Sequence, residues 1–266
     1  MLHQRRLTTN DVDELINLPS AAPVSLDDDQ RDALARRFRS VAVMSRRRLD
    51  AWSVERAGVR DGGFAWSART SRRAIGHGAL RRWRDEPTLS VTAVVREEID
   101  ELLVRAATGY ARAGSLPCWL ADQSRVALGV VTAEAVRWVS DALEVLETLP
   151  VAWVVPNSDA FYDIAGAQTS LRARRDVIVA TDEGRILLRF RGGQPGKSAG
   201  PGLRSDLVID ALSDPAGTVA RRIIGLWPDA GLALAVDGTL EDARMGARDL
   251  VRTAVVQARR DQKIAA

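Results

Sequence analysis

The sequence predicts an α/β fold in which helices pack against a mixed sheet. Three observations carry that prediction. Between residues 90 and 149 apolar side chains recur every three or four positions, as on one face of a helix. Beyond Pro150 the period changes to two, with β-branched runs on either side of Asp182-Glu183-Gly184, the pattern of a hairpin. The last third alternates helix, strand, strand and helix, which supplies covers for a sheet. At 266 residues the chain can form one large domain or two small ones, burying roughly 70–75% of its unfolded surface.

Taken in order, Ser25-Leu26-Asp27-Asp28 has the outline of a capping box and predicts a helix over residues 26–39. Residues 41–44 read as a short strand or a helix end, and Gly58, Gly62 and Gly63 punctuate a connection. Residues 64–67 read as a strand and residues 72–84 as a helix stopped by Pro87. Val95, Ile99, Leu102, Leu103, Ala106 and Tyr110 mark the next helix. Val136, Val139, Leu143 and Leu146 mark another over residues 132–149. Strands follow over residues 151–155, 176–180 and 185–191. Residues 192–202 (GGQPGKSAGPG) form a flexible connection, then a short helix spans 205–212. Strands over 222–227 and 232–236 precede a terminal helix capped by Thr239.

Composition narrows the function. The single cysteine, Cys118, excludes an internal disulfide framework and a cysteine-built zinc site, and suits a reducing compartment. It follows Pro117 beside Trp119 and Leu120, so a buried thiol is expected. Two histidines, His3 and His77, leave little for a histidine metal centre. No run of about 18 apolar residues suggests a membrane span, so the expected location is the cytoplasm. The formal net charge is only +3, but all cations other than Lys197 and Lys263 are arginine. They cluster at Arg36, Arg37, Arg39, Arg46, Arg47 and Arg48, then at Arg69, Arg72, Arg73, Arg81, Arg82 and Arg84. Trp52, Trp66 and Trp83 lie between them. Guanidinium groups pair bidentately with phosphate and stack on rings, so this pattern points to nucleic acid. A solvated face on an arginine-biased protein gives the same pattern.

Residues 171–193, LRARRDVIVATDEGRILLRFRGG, resemble the core hairpin of the RecB-family branch of the PD-(D/E)XK nucleases. In that family the first strand carries an acid that binds a divalent metal. After the turn, an Asp-Tyr-Lys-Thr-Gly motif supplies a second acid and a catalytic lysine. Here Asp176 stands at the first acid, whereas Arg189-Phe190-Arg191-Gly192-Gly193 occupy the second motif. Arg189 replaces the acid and Arg191 the lysine. The similarity extends more weakly over residues 65–260. Ser71-Arg72-Arg73-Ala74-Ile75-Gly76 resembles the helix before a Gly-x-x-x-His motif, with Leu80 at the histidine position. The Gln-x-x-x-Tyr helix falls near Asp206 and Asp210.

The resemblance implies a restriction-endonuclease-like mixed central sheet flanked by helices. It implies a division into an arginine-rich helical extension, residues 1–64, and a nuclease-like domain, residues 65–266, or one continuous domain. A guanidinium has no lone pair to offer a metal, and Mg²⁺ wants several oxygen ligands. No catalytic residue is therefore expected at the remnant positions Asp176, Arg189 and Arg191, and no cofactor. An ion pair between Asp176 and Arg189 is the plain expectation. If a relocated site is active, Mg²⁺ would be held by Asp176 with Asp159, Asp163 or Asp206. Asp159 and Asp163, four apart, would share a side if helical.

The expected function is a catalytically inactive nuclease-like protein that binds DNA or another nucleic acid, or serves as a non-catalytic subunit in a DNA-processing or defence assembly with a protein partner. The expected contacts are Arg46, Arg47, Arg48, Arg72, Arg73, His77, Arg81, Arg82, Arg84, Arg191 and Lys197. Arg73, His77 and Arg81 would lie on one helix face. The alternatives are an active Mg²⁺-dependent nuclease and an interaction module that binds no nucleic acid. Residues 192–198 (GGQPGKS) miss the P-loop pattern by one residue, because Arg191 stands where its first glycine belongs.

Overall fold

The computed structural model describes residues 2–6, 9–19, 24–41, 47–56 and 65–265. The chain begins with β1 (Leu2–Arg6), α1 (Thr9–Asn17), α2 (Asp28–Arg39), β2 (Arg47–Leu49) and α3 (Ala51–Glu55). Four helices follow: α4 (Ala68–Asp85), α5 (Val91–Ala107), α6 (Leu116–Ala121) and α7 (Arg125–Leu146). Then come β3 (Trp153–Val154), β4 (Ala160–Asp163), β5 (Thr169–Ala173), β6 (Val177–Thr181) and β7 (Gly184–Phe190). The chain closes with α8 (Ala199–Ser213), β8 (Arg222–Trp227), β9 (Leu232–Asp237) and α9 (Leu240–Ala265). It forms two compact units: Met1–Asp61 with Leu149–Ala266, and Gly62–Thr148. The division therefore differs from one at residue 64. Residues before the second unit share the first unit with the C-terminal half, because β1 pairs with β9 and β2 with β5.

The first unit is α/β, with a mixed sheet flanked by helices. Its larger sheet has the order β1-β9-β8-β7-β6-β3. β6 and β7 form the expected antiparallel hairpin, with Val177 opposite Leu188 and Thr181 opposite Gly184. The link from β7 to β8 is parallel, and α8 makes the crossover. A second sheet, β2-β5-β4, is separate. α8 lies between two apolar clusters. Leu203, Leu207 and Ala211 pack with Leu187, Ile223 and Trp227 of the larger sheet. Val208, Ile209 and Leu212 pack with Leu49, Leu171 and Ala173 of the smaller sheet and with α2 and α9. A helix covered on both sides is apolar all round. Only its middle was therefore legible as a helix, and the connection before it is shorter than expected, ending at Ser198.

Arg222 is fully buried and fastens α1 to the sheet. Its Nε donates to Asp237 Oδ1 at 2.7 Å, and its other nitrogens donate to the Leu15, Leu18 and Pro19 carbonyls. The cap of α2 is Asp27, not Ser25. The Asp27 carboxylate accepts from Gln30 N–H at 2.7 Å, and the Gln30 side chain accepts from Asp27 N–H at 3.3 Å. Residues 159–163 are not helical, since Ala160–Asp163 pair with β5.

The second unit is wholly helical among the described residues. Residues 65–67 form no strand. Instead Ser67 caps α4, exchanging hydrogen bonds with Thr70 at 2.7 and 3.2 Å. α5 ends at Ala107, short of the expected Tyr110, and Gly109 turns the chain at φ 73°. α7 starts at Arg125, two turns earlier than its stripe suggests, because Val126 and Val130 in those turns are exposed. Gly76 lets α4 approach α7 closely, since a Cβ there would collide with the Trp138 ring. Residues 42–46 and 57–64, including Arg46, the expected strand at residues 42–44 and Gly58, Gly62 and Gly63, lie outside the described residues, and so does the side chain of Arg47. No described helix is long and apolar enough to cross a membrane.

Candidate functional site

The hairpin sets the site. Side chains alternate across a strand, so Arg185, Leu187 and Arg189 of β7 share the face that meets α8, and Arg191 follows just beyond the strand. Asp176 immediately precedes β6 and lies across from Arg189, one step beyond the pairing of Val177 with Leu188. It is fully buried, and its Oδ2 accepts from the Phe190 N–H at 3.0 Å. Arg189 is only 4% exposed. Its Nε lies 3.9 Å from Asp176 Oδ2, and its Nη2 lies 3.1 Å from Asp206 Oδ2. The guanidinium therefore occupies the space between the two acids.

α8 and its C-terminal cap answer the arginines around the hairpin with carboxylates spaced four residues apart. Asp206 meets Arg189, Asp210 takes Arg175 at 2.7 Å and Arg185 at 2.8 Å, and Asp214 takes Arg185 at 2.7 Å. Asp206 and Asp210 stand where the resemblance puts glutamine and tyrosine, and both are charge partners here. Arg191, half-buried, donates to Glu55 at the end of α3 and lies 5.8 Å from the Trp227 ring centre. Gly202 makes room for that arrangement, because a Cβ there would collide with the Glu55 carboxylate.

Electrostatics follow from this burial. Desolvation pushes the Asp206 carboxyl up to about 6, against the pull of Arg189 and Arg191. Burial likewise raises Glu55 despite its pairing with Arg191. Burial works against the Arg189 cation, but Asp206, Asp176, Asp159 and Glu55 outweigh it, and its pKa ends raised. Neither Asp206 oxygen has a well-formed hydrogen bond, and Arg189 Nε and Nη1 also lack one. The pair is held by charge more than by geometry.

The donor set does not fit Mg²⁺. Arg189 fills the space between Asp176 and Asp206 and offers no lone pair. Among the described residues no three His, Cys, Asp or Glu side chains converge to hold a metal. Asp159 is committed to Arg172, with Arg172 Nε donating at 2.7 Å. Asp163 is exposed at the far end of β4, about 13 Å along the strand from Asp159.

The expected nucleic-acid contacts fall in both units. Arg48, Arg191 and Lys197 belong to the first. Arg48 and Lys197 are exposed, and Arg48 lies over the Phe161 ring. Arg72, Arg73, His77, Arg81, Arg82 and Arg84 all lie on α4 in the second. Arg72 is buried and meets Glu134 at 3.4 Å, Arg82 reaches Glu98 at 3.2 Å and also Glu101, and Arg84 meets Asp85 at 3.4 Å. Cys118 is half-buried, with its thiol 3.5 Å from the Arg112 carbonyl. Sequence reasoning missed Glu55, Arg174 and Phe161. The four-residue spacing of Asp206, Asp210 and Asp214 was the readable sign of the α8 carboxylates.

No protein-family model matches the chain, and no curated protein matches it. Among solved structures it is similar to one titled "Crystal structure of SSO0001", at 11% identity over 88% of this chain and 85% of that one, with a TM-score of 0.33.

Proposed function

We propose that this chain is a nuclease-like protein whose metal position is filled by its own guanidinium. On this reading it does not cleave, and it holds nucleic acid itself or serves as a non-catalytic subunit of a nucleic-acid-processing or defence assembly. One observation carries the reading. Arg189, 4% exposed, stands where the resembling nucleases carry their second metal-binding acid and lies between Asp176, the counterpart of their first acid, and Asp206. A fixed cation there neutralises the acids that a divalent ion would need. Cleavage of a phosphodiester by a metal requires that ion to polarise the phosphoryl oxygen or activate water, and this donor set leaves it no seat. The exposed arginines support the binding half of the reading, because phosphate contacts need only accessible guanidinium groups.

The test is a time course on labelled DNA with Mn²⁺, run beside Asp176→Ala. No cleavage by either protein is expected. Metal-dependent cleavage by the wild type that is lost in Asp176→Ala overturns the reading. Gel-shift titrations at rising salt test the binding half. Affinity should fall as salt rises, since arginines displace condensed counterions. No binding to any single strand or duplex makes the chain an interaction module.

A further inference from the structure

We infer that the open face of the β2-β5-β4 sheet is a stacking platform for single-stranded nucleic acid. The inference rests on the nucleic-acid reading above and gives it a location.

The sheet has one covered face and one open face. Leu49, Ala160, Leu171 and Ala173 are buried against α8 and its neighbours. The alternate residues point the other way. Arg48 stands opposite Ser170, and Phe161 stands opposite Arg172. Phe161 is 51% exposed, an unusual position for a phenyl ring. Two guanidinium groups attend it: Arg48 Cζ lies 5.6 Å and Arg172 Cζ 5.7 Å from the ring centre. Both distances are within cation–π range. Asp159 holds the Arg172 guanidinium by its Nε, which fixes the plane that a base would stack on. Arg48 meets no carboxylate among the described residues, so its charge is available to a phosphate. α3, which follows β2 after one residue, repeats the pairing, with Trp52 45% exposed and Arg56 4.8 Å from its ring centre.

Arg174 is two residues beyond Arg172 on the same side of the chain. Burial lowers its pKa first, and the cations of Arg172 and Arg189 lower it further, against Asp50 and Asp176. An anion bound nearby would relieve that repulsion. Asp163 is the exposed carboxylate on this sheet, at the end of β4. Rings dressed with arginine suit unpaired bases, because every base has a π-face and every nucleotide a phosphate. A duplex hides those faces in its own stack, so this surface discriminates against it.

The experiment is fluorescence anisotropy with a labelled oligothymidine, using the full chain and the variants Phe161→Ala and Arg48→Ala, each checked by thermal melting. The wild type should bind the single strand more tightly than a duplex of the same length. Phe161→Ala should raise Kd about tenfold. Arg48→Ala should raise it less and reduce the salt slope by about 0.7, the share of one phosphate contact on a single strand. Polyglutamate should compete poorly. Single-strand binding that is unchanged in Phe161→Ala, or equal competition by polyglutamate, overturns the platform and leaves the nucleic-acid reading in place. No wild-type binding to either single strand or duplex overturns both.

Discussion

Two arginine sites in the first unit use the same side chain for opposite ends. At the hairpin, Arg189 is 4% exposed and wedged between Asp176 and Asp206. On the small sheet, Arg48 is exposed, touches a half-open ring and meets no carboxylate among the described residues. β5 and the residues after it join the two sites, since Arg172 serves the open ring and Asp176 the buried guanidinium only four positions later. Composition treats all these arginines alike. What separates them is desolvation: a buried guanidinium must have carboxylates around it, whereas an exposed one remains free for a ligand.

The largest expected effect tests the buried side of that contrast. Arg189→Ala strands Asp176 and Asp206 in the interior, and losing one partner of a buried pair costs about 3–5 kcal/mol. Urea denaturation should show it as a lower midpoint. Arg189→Met with Asp206→Leu should recover only the share owed to Asp206, because Asp176 stays buried without its cation. Asp176→Ala removes the acceptor of the Phe190 N–H and should cost about 1–3 kcal/mol. Arg48→Ala should stay within about 0.5 kcal/mol. If Arg189→Ala is as mild as Arg48→Ala, the buried site is not a charge-locked core.

A second effect sharpens the contrast through pH. Asp206 binds its proton up to about pH 6 in the fold, against an ordinary value of 3.8. Between those values the folded chain carries more protons than the unfolded one, so stability falls as pH rises. The contribution from this group is full below about pH 4 and is lost by about pH 6, with an upper size near 3 kcal/mol. Glu55 acts in the same direction. Asp214 acts oppositely, because its bonds from Arg185 and Ala216 outweigh its burial and lower its pKa. The clean measurement is therefore a difference. Wild-type stability minus that of Asp206→Asn should fall between pH 4 and pH 6 and stay level above. A flat difference would show that Asp206 is ionised throughout that range.

The fold was legible where one physical signal dominated. Asp182-Glu183-Gly184 and its flanking β-branched runs defined the hairpin, and the stripe of Ile99 and Leu102 defined α5. The signal failed where burial is two-sided, as in α8, or where a strand is very short, as at β2. It also failed where pairing joins distant segments: nothing local announces that Leu49 will lie beside Leu171. At the site, Asp176, Arg189 and Arg191 could be selected by position in the hairpin. Glu55 could not, since its partner Arg191 is 136 residues away. Asp159 and Asp163 were weighed for helical spacing, whereas the strand gives them separate surroundings, one paired with Arg172 and one exposed at the end of β4.

The smallest expected effect concerns the arginines of α4, which fall between the two extremes. Arg81, Arg82 and Arg84 are half-buried or exposed, yet at least two already have carboxylate partners. Arg82 reaches both Glu98 and Glu101, and Arg84 meets its neighbour Asp85 at 3.4 Å. Such surface pairs add little stability, so replacing Arg81, Arg82 and Arg84 together by Ala should cost no more than about 1 kcal/mol. Their partners also reduce what they can give to phosphate. Three unencumbered contacts would contribute about 2 to the salt slope on a single strand. The triple variant should remove only about 1, and should weaken all sequences alike because phosphate carries no base code. Parallel salt titrations of this variant and Arg48→Ala decide the ranking. A slope loss near 2 from the three α4 arginines, the full release of their charge, would place the main phosphate contacts on α4. A loss near 1 keeps Arg48 the more effective cation per residue, as expected for the one that meets no described carboxylate.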